Sequence, residues 1–345
     1  MKKIEHNELS TETKKSMRTR IITAIVLALI CVPCIIIGKW AFFALSIVVS
    51  VFAGYELVNV IGLKGKSRPL VYATSIILMI GSIYWIYFSR FFKNIDMIYT
   101  FEDFEAVFFD ATDETGVFYD IMLSSVAILI GAGVYFTLCI FNEDFTVVRA
   151  SYLLSMNVIV SLCIQSLLYL RFMPATELFT NSTHSSDGAF VSYFWSALLI
   201  IFVILGTIAN DIGAYFVGLL FGKHKMNQRV SPKKTWEGFV GGYVFSFAIS
   251  FGFAMICASV GLPLVPILDV EHWYWIFIIS LVLPLIATLG DFSFSTIKRN
   301  YGIKDFSNIL PGHGGVLDRI DSLLFVSAFV AIILIFINRN WIIFR

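Results

Sequence analysis

The chain has 345 residues, of which 58% are Ala, Val, Ile, Leu, Met, Phe, Trp, Tyr or Cys; soluble globular domains reach about 45–50% even with glycine counted. Only 14% are Asp, Glu, Lys or Arg, against about 25% in such domains, and the charges are bunched between long apolar runs. A soluble globular protein is excluded, and a formal net charge of +1 gives no global attraction to nucleic acid.

The expected fold is an all-α polytopic membrane protein of about nine transmembrane helices. A span needs about 20 mainly apolar residues to cross roughly 30 Å of hydrocarbon. Nine stretches qualify, at about 21–38, 40–61, 70–89, 120–140, 149–170, 190–208, 238–260, 273–289 and 322–338. The runs are continuous, whereas a lipid-facing barrel alternates. The first follows a polar tail and lacks a small-residue cleavage site, so it reads as a retained helix. Cys31, Cys34, Cys139, Cys163 and Cys257 lie within or at the ends of these runs. Cys31-Val-Pro-Cys34 has redox spacing without a βαβ context, and reads as small buried side chains.

With the N-terminus in the cytoplasm, 19 Lys and Arg residues fall inside and 6 outside, as the positive-inside rule requires; the C-terminus is then outside. The chain divides into a cytoplasmic tail (1–20), N-terminal spans (21–208), a core with the final spans (209–338) and a short outside tail (339–345). The loop after the third span carries Asp96, Glu102, Asp103, Glu105, Asp110, Asp113 and Glu114. Their spacing matches no cation-binding loop and reads as a solvated acidic cap. Asn181-Ser182-Thr183 is a formal glycosylation sequon. Glu56 lies in the second span, where an unpaired carboxylate is expensive; it reads as a functional or helix-pairing group, a structural polar contact or a protonated carboxyl. Many spans and an intramembrane Glu also suit a transporter, although the spans carry almost no further groups for a proton path.

Polar chemistry collects in two segments. The first holds Asn210 and Asp211, in a stretch (209–221) apolar enough to lie partly in the membrane, and continues to SPKKTWEGFVGG at Ser231–Gly242. Ser231-Pro232 reads as a helix start. Lys233 and Lys234 beside that terminus would hold phosphate or meet anionic lipid. The glycines from Gly238 onward are either helix-packing positions or part of a ligand loop.

The second segment runs from Gly290 to Asp321. Asp318 and Asp321 share a helix face. Asp291, ending the eighth span, converges with them if the intervening residues make a short excursion. Such carboxylates repel one another unless a cation intervenes, and a hard divalent ion suits oxygen ligands. Lys298, Arg299, Lys304 and Arg319 would meet anionic substrate oxygens. His313 has three readings: hydrogen bonding to phosphate, proton transfer, or holding the Gly-rich turn. Together these residues describe a phosphoryl-transfer site; the alternative is mutual neutralisation in a cytoplasmic loop.

The 27 residues STIKRNYGIKDFSNILPGHGGVLDRID, Ser295 to Asp321, resemble the signature of the phosphatidate cytidylyltransferase, or CDP-diacylglycerol synthase, family. NDIGAYFVGLLFGKHKM and SPKKTWEGFVGG extend the resemblance over about 209–321; the earlier spans match in hydropathy and layout only. One departure is Phe294, where bacterial members often carry Glu, so any role of that Glu is dropped. The resemblance implies Mg²⁺-dependent transfer of CMP from CTP to phosphatidic acid, giving CDP-diacylglycerol and pyrophosphate, with a second cation allowed. It implies Asp291 and Asp318 as metal ligands, with Asp321 a further ligand or a group behind them. Lys298, Arg299, Lys304 and Arg319 are implied for phosphate neutralisation. Asn210, Asp211, Ser231, Lys233, Lys234 and Thr235 are expected to bind substrate. Asp305 either positions a basic side chain or contacts nucleotide, and His313 completes the catalytic set. The cavity is expected to open to the cytoplasm and sideways to the bilayer of a bacterial cytoplasmic membrane. Small residues in the spans permit a homodimer; no nucleic-acid partner is expected. The DGxxAR pattern of enzymes that consume CDP-linked lipids is absent from the sequence.

Overall fold

The computed structural model describes residues 11–338 except 64, 66, 94–97, 102–103, 105–107, 109–115, 180–186 and 266. The acidic cap residues, the sequon and the 339–345 tail lie outside the described residues. In hydrocarbon every backbone N–H and C=O needs an internal partner, and the long apolar runs meet that demand as helices. They are α1 (Thr11–Ile37), α2 (Lys39–Val60), α3 (Arg68–Lys93), α4 (Gly116–Phe141), α5 (Val147–Phe179), α6 (Asp187–Phe221), α7 (Trp236–Ser259), α8 (Trp273–Asn300) and α9 (Leu317–Asn338). Each overlaps one expected span. Eight are long and apolar enough to cross a membrane, and α4 contributes a shorter apolar stretch, Ser125–Phe141.

The bundle is not wholly helical. Between α6 and α7 an antiparallel hairpin pairs β1 (Lys225–Asn227) with β2 (Ser231–Thr235), Lys225 opposite Thr235 and Asn227 opposite Ser231. Ser231-Pro232 therefore opens a strand, correcting the expected helix start. The helix begins at Trp236, where Thr235 Oγ1 accepts from Gly238 N at 3.1 Å. A hairpin ladder and this cap together outcompete the local Ser-Pro signal.

Among the helices that extend beyond their expected spans, three carry candidate site residues: α6 reaches Phe221, α8 reaches Asn300 and α9 begins back at Leu317. Asp211, Asp291, Lys298 and Asp318 thus stand on helices, with their backbones fixed, rather than on loops.

One buried apolar cluster joins α2, α3, α4 and α5 to Phe294, Phe306 and Leu317; a second joins α5–α9. Phe294, at the family's Glu position, is 1% exposed and packs edge-on against Phe306 and Phe325. Buried polar pairs pin the first cluster: Tyr84 Oη donates to Ser46 Oγ at 2.9 Å, and Asn157 Nδ2 donates to Tyr135 Oη at 3.1 Å. Such interhelical bonds replace the hydrophobic drive that lipid does not supply. α6 and α7 approach through glycines. A Cβ at Gly238 would lie 2.8 Å from Ala214 O, and one at Gly242 would lie 2.6 Å from Asn210 O. Both glycines are packing positions, and Gly238 also lines the cavity described below.

Candidate active site

Residues of α6, the hairpin, α7 and α8 enclose a cavity of about 440 Å³, within the usual range for small-molecule sites of about 300–1,000 Å³. Its lining includes the polar Asn210, Asp211, Lys225, Lys233, Lys234, Thr235 and Thr288 and the apolar Tyr215, Leu219 and Phe239. Five of the six expected substrate-binding residues line it; Ser231 does not. Lys225 and Thr288 were not singled out from sequence. Lys225 reaches the cavity because β1 pairs beside Thr235, and Thr288 receives a 3.4 Å hydrogen bond from Asn210 Nδ2.

Lys234 links the hairpin to α8. Its ammonium is ion-paired with Asp291 Oδ2 and lies 4.5 Å from the centroid of Phe292. One helical turn on, Ser295 Oγ donates to Asp291 Oδ1 at 3.2 Å. Asp211, Asp291 and Asp321 are mutual electrostatic neighbours, with Lys234 and Arg319 acting on Asp211 and Lys298 acting on Asp321. Three carboxylates from α6, α8 and α9 therefore gather beside three cations.

Lys298 and Asp318 form a separate, buried pair. Lys298 Nζ donates to Asp318 Oδ1 at 2.7 Å, with side-chain exposures of 10% and 2%. Asp318 Oδ2 accepts from Phe306 N at 2.8 Å and Gly315 N at 2.9 Å. Both oxygens of Asp318 are thus occupied in clamping α8, the 301–316 connection and α9. Arg299 is also a structural tie: its Nε donates to Val230 O at 3.2 Å and its Nη1 to Ile303 O at 3.1 Å, holding the hairpin against the end of α8. Lys304 and Asp305 are exposed in the connection.

The Gly-rich turn closes through reciprocal backbone bonds between Leu310 and Gly314, of 2.9 and 3.1 Å. Gly312 and Gly314 have φ of +75° and +88°, which side-chain-bearing residues adopt poorly. Thr23 Oγ1 of α1 donates to Pro311 O at 3.0 Å. His313 Nδ1 is buried without a hydrogen-bond partner among the described residues.

A hard cation fits the donor chemistry of Asp211, Asp291 and Asp321, although the described residues contain no group of three or more His, Cys, Asp or Glu close enough to share an ion. Asp291 presents its oxygen to a cation already, the Lys234 ammonium. Asp318 fits less well, with its oxygens spent on three protein donors.

The sequence profile of the cytidylyltransferase family matches residues 18–337. A phosphatidate cytidylyltransferase of Bacillus subtilis is 27% identical over 92% of this chain and 97% of its own length. Enzymes of the same name are 41% identical in Staphylococcus saprophyticus, over 39% of this chain and 48% of that one, and 39% identical in Mycobacterium leprae, over 35% and 36%. A profile match along almost all of a polytopic bundle, which holds a cavity lined by lysines, the Asp211 carboxylate and apolar side chains, identifies this chain as a membrane-embedded nucleotidyltransferase belonging to the phosphatidate cytidylyltransferase family.

Proposed function

We propose that the chain transfers the cytidylyl group of CTP to phosphatidic acid, yielding CDP-diacylglycerol and pyrophosphate. The observation that carries this reading is a cavity lined both by Lys225, Lys233 and Lys234 and by the apolar Tyr215, Leu219 and Phe239, formed by helices long and apolar enough to cross a membrane. A lipid phosphate keeps its acyl chains beside Tyr215, Leu219 and Phe239 while the nucleotide enters from water. A phosphatidate oxygen attacks the α-phosphorus of CTP. The new P–O bond forms as the bond from the α-phosphorus to the pyrophosphate oxygen breaks, and pyrophosphate leaves with that electron pair. The attacking phosphate is already ionised near neutral pH, so little general-base help is required.

Lys225, Lys233 and Lys234 neutralise the polyphosphate. Asp291 would hold Mg²⁺, with Asp321 and Asp211 adding negative charge beside it; when bound, the ion supplies Lewis-acid charge neutralisation. Lys234 then turns from Asp291 to phosphate. Asp318 acts through Lys298, fixing the start of α9 from which Arg319 and Asp321 project. The topology that fits the 19-to-6 basic bias has the N-terminus and cavity in the cytoplasm of a bacterial cell and the C-terminus outside.

The test is reconstitution in phosphatidic-acid vesicles with Mg²⁺ and CTP labelled at the α-phosphate. Labelled lipid and pyrophosphate in equal amounts are expected; consumption of CTP without labelled lipid, or no consumption, contradicts the reading.

A further inference from the structure

Helix α9 begins without a cap of its own. The first-turn amides of a helix lack intrahelical partners, and a Ser, Thr, Asp or Asn just before the helix ordinarily accepts from them. Here the preceding residues are Gly314, Gly315 and Val316, none of which carries a polar side chain. The acceptor comes from a different membrane helix. Glu56, fully buried on α2, accepts from Val316 N at 2.7 Å through Oε1 and from Leu317 N at 2.8 Å through Oε2. Oε1 also accepts from Ser307 Oγ at 2.6 Å. A carboxylate that would be costly in lipid thus sits on three donors at the positive end of a helix dipole.

Two further features fit this contact. A Cβ at Gly315 would lie 2.6 Å from Glu56 Oε1, so the last glycine of PGHGG makes room for the carboxylate. Asp318 receives Phe306 N and Gly315 N from the same connection. Glu56 and Asp318 therefore both grip it, Glu56 at Ser307 and Val316 and Asp318 at Phe306 and Gly315. The first turn of α9, which presents Asp318, Arg319 and Asp321, is held in register against α2 by one side chain.

We propose that Glu56 is a positioning residue for nucleotidyl transfer: a cap supplied by α2 that sets where the start of α9 holds Asp321 and Arg319 beside Asp211 and Asp291. This rests on the proposed reading of the cavity as the transfer site. It assigns Glu56 no contact with substrate and no part in a proton path. The nucleotide's main cationic contacts, Lys225, Lys233 and Lys234, lie on the hairpin, away from Glu56. Its loss should consequently lower kcat and shift the Mg²⁺ dependence while leaving the KM for CTP nearly unchanged.

The experiment compares the full chain with Glu56→Gln, Glu56→Asp and Ser307→Ala in phosphatidic-acid vesicles, measuring kcat, KM for CTP and the Mg²⁺ midpoint. Peptide-resolved hydrogen exchange over residues 312–320 is measured on the same samples. Disturbing a group that orients metal-binding side chains ordinarily costs about 10–100-fold. Glu56→Gln is expected to lose kcat in that range, with KM within about threefold, a raised Mg²⁺ midpoint and faster exchange at Val316 and Leu317. Glu56→Asp should recover part of kcat, and Ser307→Ala should move each quantity in the same direction by less. Folded Glu56→Gln with kcat, Mg²⁺ midpoint and exchange all unchanged overturns the proposal. So does a loss confined to stability, with kcat per folded molecule intact. Should Glu56→Gln fail to fold, Ser307→Ala decides, and an unaltered kcat and Mg²⁺ midpoint there overturns it. An unsubstituted chain without transfer activity instead defeats the proposed function; the exchange data still test the cap.

Discussion

Replacing Lys298 with Met keeps the length of the side chain and removes its charge, leaving Asp318 a carboxylate with one oxygen unpaired. The pair is 2.7 Å long with both side chains almost wholly buried, so solvent screening does little to reduce the effect. Breaking such a pair costs about 3–5 kcal/mol. Asp318 retains two backbone donors, at 2.8 and 2.9 Å, which puts Lys298→Met near the lower end, about 3 kcal/mol. Asp318→Asn should cost at least as much, because it leaves the Lys298 ammonium buried against a neutral partner and turns an amide NH₂ toward donors. The double variant should cost less than the sum of the two by about 1–3 kcal/mol, the coupling expected of residues in direct contact. Equilibrium unfolding in mixed micelles measures all three. Additivity within about 0.5 kcal/mol, the behaviour of independent sites, would refute the clamp and return Lys298 to the role of a free phosphate-binding cation.

Lys234→Met should lower kcat/KM for CTP about 100-fold, or roughly 2.7 kcal/mol of transition-state stabilisation, since it removes a cavity cation that also faces Asp291; steady-state kinetics within threefold of the unsubstituted chain would contradict this. Gly242→Ala should destabilise the protein by about 1–3 kcal/mol through overpacking, because the new methyl meets Asn210 O, a backbone atom at 2.6 Å; unfolding in the same micelles reads the effect. Arg299→Ala removes the bonds to Val230 O and Ile303 O, worth about 1 kcal/mol each, and should speed limited proteolysis of the 223–230 turn. Unchanged cleavage there would mean that Arg299 does not restrain the hairpin.

The helices were legible because long apolar runs have few alternatives in lipid, and every expected span overlaps a helix. Their ends were less so. Hydropathy stops at a charge, whereas α8 runs ten residues beyond Gly290, carrying Asp291, which Ser295 and Lys234 bond, and Lys298, which bonds Asp318 of α9. The cavity's Asn210, Asp211, Lys233, Lys234 and Thr235 were readable from clustered polar residues beside an apolar run. Lys225 was not, since its place depends on pairing across the hairpin. Asp318 shows the limit of reading carboxylates by spacing: it shares a helix face with Asp321, yet its partners Lys298 and Phe306 are fixed by tertiary packing. Glu56 was conspicuous as a charge in a span, but its partner Leu317 lies 261 residues away, beyond any local signal.

Cytidylyl transfer is proposed to take place where the hairpin meets α8, at Asp291. The most direct measurement is the transfer rate of Asp291→Asn in phosphatidic-acid vesicles across a Mg²⁺ titration, beside hydrogen exchange to establish that the bundle is intact. A loss of about 100-fold or more is expected at every Mg²⁺ concentration, as when a direct ligand rather than its support is removed. A folded Asp291→Asn protein that turns over within twofold of the unsubstituted chain, with the same Mg²⁺ midpoint, would contradict it.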